Sequence, residues 1–192
     1  MRSRRPFSWA NIWPMASRFL RDRRAATAVE FAVIVPFALV LLAGEYTLTS
    51  AMSTKRKLTI TAHAMADLVA RQTTMNSSLM TNILNAAQQM IAPYDMSDTT
   101  VVVAELTTDA SGSTTVTWSQ ATTNGTPLTL GSTFTFPPKA KNMAVPSTSL
   151  IYASTSYNFK PAVQNSLFGQ STVFNSTFYE NPRVTSSIPY TN

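Results

Sequence analysis

The sequence predicts an α+β protein: a long N-terminal helix that is transmembrane in its first half, a second short helix, and a small antiparallel β-sheet head. Three observations carry this prediction. Residues 25–44, AATAVEFAVIVPFALVLLAG, form an apolar run broken by one charge, Glu30. No Gly or Pro interrupts the next stretch, from Glu45 to Arg71, and its apolar residues recur at steps of three or four. After Pro93 the texture turns to Ser, Thr, Val and aromatic residues in alternation.

The first element is a basic leader. Arg2, Arg4, Arg5, Arg18, Arg21, Arg23 and Arg24 face a single acid, Asp22, with Phe7, Trp9, Ile12, Trp13 and Phe19 interleaved. This reads as a cytoplasmic tail with a segment that hugs the membrane surface. The run that follows has twenty residues, about 30 Å as a helix and enough to cross the hydrocarbon core. Seven arginines precede it, and the smaller cluster Lys55-Arg56-Lys57 lies well beyond it. The positive-inside bias puts the N-terminus in the cytoplasm and the remainder outside. Pro36 removes one backbone donor and is expected to kink the span. Lipid-facing helices accept such a break when neighbouring helices or local adjustments satisfy the freed carbonyl.

Beyond the membrane, Leu48, Met52, Leu58, Ala62, Met65 and Val69 form one stripe, interrupted by Lys55. A helix from Ala25 to about Arg71 would be roughly 70 Å long, its outer half laid on the head. QTTMNSS at 72–78 reads as a turn in which Asn76, Ser77 or Ser78 caps a second helix. That helix carries Leu79, Met80, Ile83, Leu84, Ala87, Met90 and Ile91 on one face and stops at Pro93. The β-rich segments 100–107 (TVVVAELT) and 114–120 (TTVTWSQ) read as a hairpin about DASGS, and NGTP at 124–127 marks another turn. Residues 132–136 suit a loop or short edge strand. Residues 149–159 and 171–179 alternate and carry aromatics, which predicts two central strands; the tail NPRVTSSIPYTN is expected to be irregular. The organisation is a leader at 1–25, a transmembrane helix at 26–44, its extracytoplasmic continuation at 45–71 and a β-rich head at 72–192.

Composition narrows the function classes. Charged residues make up 12% of the chain, about half the usual share, so much of the surface is Ser, Thr, Asn and Gln, as suits a surface-exposed module. There are no cysteines, which excludes disulfide staples and thiolate metal sites. The net charge of +6 is unevenly placed: eleven basic and four acidic residues lie before Pro93, four basic and five acidic from there on. Positive charge flanking an apolar run fits membrane orientation better than nucleic-acid binding, and no nucleic-acid partner is expected.

The stretch with chemical content is Arg23-Arg24-Ala25-Ala26-Thr27-Ala28-Val29-Glu30-Phe31. A carboxylate inside an apolar helix costs about 3 kcal/mol at mid-bilayer and less near the interface. Glu30 alone admits a plain reading, in which it lies at the cytoplasmic headgroup level and pairs with Arg23 or Arg24. The order of residues around it points further. The segment resembles the N-terminus of TadE-like pseudopilins, minor pilin-like components of the Tad/Flp pilus machinery. Members commonly read as a basic leader, then Gly-Ala-x-x-V-E-F-A, then an apolar run with an early proline. Here Ala25 occupies the glycine position, Glu30 and Phe31 match the E-F pair, Ala32 follows, and Pro36 matches the proline. Asn181-Pro182-Arg183 after an aromatic segment is loosely similar to the family's C-terminal element. The resemblance covers about residues 21–71 and extends to the rest only by texture.

It implies a pilin-like fold and cleavage between Ala25 and Ala26 by a prepilin peptidase, which would make Glu30 the fifth mature residue. A small residue there lets the scissile backbone enter a cleft closely. The new α-amine would be cationic, and Glu30 of one subunit would pair with the amine of the next, in lipid where an unpaired charge is penalised. The implied partners are the bacterial inner membrane, the prepilin peptidase, other pilin or pseudopilin subunits and the pilus assembly platform. The implied role is structural, in pilus biogenesis and surface adhesion, with the head extracytoplasmic or built into a surface pilus.

No enzyme, cofactor or metal site is expected. The only histidine, His63, stands four residues before Asp67 and reads as a helix-surface pair. The sequence contains no G-x-S-x-G, Walker, H-E-x-x-H or G-x-G-x-x-G motif. Asp95, Asp98, Glu105 and Asp109 lack the spacing of a calcium loop and read as solvated turn residues. Three Asn-x-Ser/Thr sequons are what chance gives in so Ser/Thr-rich a chain. The alternative function class is a signal-anchored extracytoplasmic binding module or adhesin unrelated to pili, with a cleavable signal ending at Thr49-Ser50-Ala51 as a weaker variant.

Overall fold

A computed structural model describes residues 23–161 and 170–191. The expected leader at 1–22 lies outside the described residues. The chain divides into two compact units, 1–46 and 47–192. Helix α1, Arg23–Ala70, has 48 residues and runs through Pro36 without interruption. In the first unit its described side chains are nearly all exposed.

In the second unit α1 becomes amphipathic. Leu58, Ala62, Met65, Ala66, Val69 and Ala70 are buried, at the three- and four-residue steps that keep one face inward. The expected stripe was longer. Leu48 and Met52 remain 62% and 66% exposed, because the sheet reaches the helix only from about Thr54 onward. There Lys55 Nζ donates to the Asn175 carbonyl, Ser176 and Thr59 share a hydroxyl bond of 3.0 Å, and Thr155 Oγ1 donates to the Leu58 carbonyl at 3.0 Å.

Strand β1, Met75–Asn76, precedes helix α2, Ser77–Ile91. Asn76 has extended backbone and its side chain accepts from the Leu79 N–H at 2.8 Å, filling one of the donors a helix start leaves open. Asn76→Ala is expected to cost about 1 kcal/mol and lower the melting temperature by about 2–4 °C; thermal unfolding checks it. Met80, Ile83, Ala87 and Ile91 are the buried face of α2, and the helix ends two residues before Pro93, as the restricted residue before a proline dictates.

The sheet comprises β2, Thr99–Thr108; β3, Thr114–Ala121; β4, Thr148–Phe159; and β5, Thr172–Glu180, in the antiparallel order β3-β2-β4-β5. The predicted hairpin is β2–β3. Asp109 Oδ1 accepts from the Ser111 and Ser113 N–H groups at 2.8 and 2.9 Å, and Gly112 takes a positive φ of 84° that a side chain would disfavour. Of the two strands expected to be central, β4 is, while β5 is an edge strand, as β3 is on the other side, with Val173 exposed. Residues 132–136 form a loop bonded to the β3 edge: Phe134 N–H donates to the Thr114 carbonyl at 2.8 Å.

A bulge decides where two side chains go. Glu105 pairs with Trp118, but Leu106 pairs with Val116, leaving Thr117 as the extra residue on β3. A one-residue register shift exchanges the faces of a strand. Val116 therefore joins the back core with Ala104, Leu106, Leu150 and Phe136, while Trp118, only two residues on, joins the helix-side core with Val101, Val103, Ile151 and Met65. Over the back core, Phe134, Phe136, Tyr152 and Tyr179 meet ring to ring at centroid distances of 5.1 to 6.5 Å. Burial, reinforced by Tyr152, pushes the Tyr179 hydroxyl up to about 12.

The C-terminal tail is not irregular throughout, and residues 72–78 are not only a turn. Strand β6, Tyr190–Thr191, pairs in parallel with β1. The Met75 N–H donates to the Pro189 carbonyl at 2.9 Å, and Ile188 is fully buried. The root of the tail is held at Arg183. Its N–H donates to the Ala70 carbonyl at 2.8 Å, and its guanidinium pairs with Asp67 at 2.8 Å and Glu180 at 3.1 Å. Arg71 donates to Asp67 from the next turn. Asp67 thus serves the arginines first; His63, expected to pair with it, adds a smaller electrostatic pull on the same carboxylate and lies edge-on to the Phe178 ring at 4.3 Å.

The Arg71 hydrogen bond, helped by the charges of Arg183 and Arg71, holds the Asp67 carboxyl below its ordinary 3.8. A depressed carboxyl stabilises the fold above its unfolded value, and that contribution disappears as pH falls through the folded value. Melting temperatures taken at about pH 6 and about pH 2 should therefore differ more in the wild type than in Asp67→Asn; equal differences would remove this account of the tail's root.

Candidate assembly site

The stretch singled out by the sequence lies in the first unit, on α1. Among the described residues, α1 is the one helix long and apolar enough to cross a membrane. Its large apolar side chains in the first unit lack cover. Phe31 is 68% and Val33 70% exposed, and Val29, Ile34, Phe37, Leu39, Leu41 and Leu42 are likewise open. An apolar surface running all round a helix has no stable place in water.

Glu30 is the one ionisable side chain between Thr27 and Gly44, and it is exposed. Helical spacing puts Val33, Ile34 and Phe37 on its own face, so the carboxylate stands at the edge of an apolar stripe. Phe31 and Pro36 are exposed too. Pro36 has no N–H and leaves the Ala32 carbonyl without its helical donor. Ala25 and Ala26 fall in the first helical turn, directly before the apolar segment. The five positions are thus brought onto one helix by sequence proximity. Of the three whose side chains are described, Glu30, Phe31 and Pro36, all are exposed.

In the second unit no three His, Asp or Glu side chains converge among the described residues. Asp98 pairs with Lys160 at 2.7 Å, and Asp95 accepts from the Ser97 N–H at 2.8 Å. Two open clefts of about 460 and 490 Å³ lie on the head. One is lined by uncharged groups such as Asn85, Gln88 and Thr122, the other by Phe134, Phe136 and Lys141. Neither brings two acidic or basic side chains together.

Glu105 departs from its expected place. It is no solvated turn residue but sits in the middle of β2, 1% exposed. Its Oε1 accepts from the Ile188 N–H at 2.8 Å, and Oε2 has no hydrogen-bond partner among the described residues. Beside it, Trp118 Nε1–H donates to the Ile188 carbonyl at 2.7 Å. Burial pushes the Glu105 carboxyl above its ordinary 4.5, against the opposing pull of Ile188, Trp118 and Ser149. Sequence reasoning missed this group because the bulge at Thr117, invisible in a pattern of alternation, is what sets Trp118 beside it. The one available signal was a lone acid in the strand TTVVVAELTT.

No protein-family model, curated protein or solved structure matches the chain.

Proposed function

We propose that the chain is a TadE-like pseudopilin, a structural component of a Tad/Flp-type pilus inserted in the bacterial inner membrane with its head outside. The observation that carries this reading is Glu30: a lone carboxylate near the start of an uncovered apolar helix, five residues past the Ala25 position and preceded by an arginine-rich leader. Membrane insertion by itself is served better by an apolar residue, so the charge is kept for a partner. Prepilin-type cleavage between Ala25 and Ala26 supplies that partner, a new cationic amine on a neighbouring subunit. The pairing fixes the axial register between subunits, since one charge satisfies one charge at one height in the membrane.

N-terminal sequencing of the membrane-derived protein tests the reading. A start at Ala26 supports it. A start at Met1 or Arg2 points to a signal-anchored binding module, and a start at Met52 to a cleaved secretory signal; either would overturn it.

A further inference from the structure

We propose that residues 184–191 are a proton-linked latch, seated by Glu105 and Trp118 acting as a two-point receptor for the backbone of Ile188. The geometry is specific to one residue. The Glu105 carboxylate takes the Ile188 N–H and the Trp118 indole N–H gives to the Ile188 carbonyl, so a single peptide segment is gripped from both sides by side chains. The Ile188 side chain fills the helix-side core. Around it Val184, Ser186, Ser187 and Pro189 are exposed, so the latch enters the core by one buried residue. The fixed root at Arg183 and the seat at Ile188 leave residues 184–187 as the span between. A segment held by one buried side chain and few bonds belongs to the low-stability end of a fold.

Glu105 links the seat to pH because it is buried without a cation. The groups facing it are few. Helix α2 and strand β3 carry no ionisable side chain. Strand β5 offers Glu180, two strands away on the same cross-strand row through Ile151, and Glu180 is held by Arg183, which also pairs with Asp67 of α1. His63 of α1 is exposed against Phe178. Strand β4 contributes Tyr152 and Tyr157, and the latch itself Tyr190, which lies 5.6 Å from the Trp118 ring.

With the latch closed, a proton on Oε2 removes the buried charge while Oε1 continues to accept from Ile188. With the latch released, water reaches the carboxyl and it returns toward 4.5. Closing therefore takes up a proton. Below 4.5 both states hold it and pH has no effect. As pH rises above 4.5 the released state loses its proton first, and the opening constant grows by up to about tenfold per pH unit. Growth stops once the closed state's own, higher value is passed.

The test is hydrogen exchange of the full chain in detergent micelles across this range, each amide corrected for its intrinsic rate. A carbon-NMR titration of the Glu105 carboxyl runs alongside. The expected result is that protection of the Ile188 and Met75 amides falls with rising pH, while amides of the β2–β4 ladder hold theirs. The fall should follow the Glu105 titration, and Glu105→Gln should flatten it. The proposal is overturned if the two amides show no pH-dependent loss, if the ladder amides fall with them, or if Glu105→Gln keeps the slope. Should that variant fail to fold, the wild-type comparison decides alone, since a fall that does not coincide with the Glu105 titration overturns the latch as well. The latch needs only the head, so its failure leaves the role proposed for Glu30 untouched.

Discussion

Replacing Glu30 with leucine is expected to leave the chain inserted in the membrane and to lower pilus output by about a hundredfold. The two halves of this expectation come from opposite sides of the same free energy. At a helix centre leucine inserts favourably while a carboxylate is penalised by about 3 kcal/mol, and by less near the interface. The variant should therefore enter the membrane at least as well as the wild type. Assembly should respond the other way. Under the proposed role, removing one partner of an ion pair shielded from water strands the other, and such losses run to about 3–5 kcal/mol. At 1.4 kcal/mol per tenfold, the lower figure already corresponds to about a hundredfold.

Glu30→Gln separates charge from shape. It keeps a hydrogen-bonding side chain of the same length and should recover only part of the loss. Membrane fractionation gives the first half of the prediction, and quantified surface filaments give the second. Normal filament numbers with leucine at position 30 would show that the carboxylate has no assembly role. Loss of the protein from the membrane would show that it acts in insertion instead.

How much of this was legible in the sequence depends on range. Helix α1 was, because its signals are local: an apolar run with a single charge, Glu30, then three- and four-residue spacing with no breaker. A cap within Asn76–Ser78 and the stop before Pro93 were legible for the same reason, each being a residue that acts on its immediate neighbours; which of the three caps, Asn76, came only from the structure. The hairpin β2–β3 could be read from a turn sequence between two β-rich runs. Strand order could not, since TSLIYASTSYNF and TVFNSTFYE have similar alternation, yet one is central and the other outermost. Position in a sheet is a matter of partners, and partners are set by the whole fold. The end of the helix stripe failed likewise. Leu48 and Met52 have the spacing of core residues but lie where no strand reaches them. At the candidate site the legible part is the identity and order of Ala25, Ala26, Glu30, Phe31 and Pro36, all on one helix. The buried seat of the tail was the least legible feature, because a two-residue parallel pairing across 115 positions, Met75 with Tyr190, leaves no periodic trace.

That hidden seat carries the second large effect. Trp118→Ala is expected to destabilise the head by about 4 kcal/mol or more, a fall of about 10 °C in melting temperature. Two losses combine. The indole is 5% exposed within the helix-side core, and truncating a buried aromatic to alanine costs about 3–5 kcal/mol through lost transfer free energy and the cavity left behind. The Ile188 carbonyl also loses its donor, and an orphaned buried acceptor costs about 1–3 kcal/mol unless water reaches it. Trp118→Phe isolates the second loss, because it keeps most of the ring and removes only the N–H. Its expected effect is about 1–3 kcal/mol. Thermal unfolding of the solubilised chain ranks the three proteins, and limited proteolysis adds a positional readout. Cleavage after Arg183 or within the tail should accelerate in both variants before the β2–β4 ladder becomes susceptible. If phenylalanine matches the wild type in both assays, the indole bond contributes nothing and the tail is held by Ile188 burial and the Met75 pairing alone. If alanine matches phenylalanine, the ring's packing contributes nothing. In that case the bulge at Thr117, which turns Trp118 inward, would need a different physical reason.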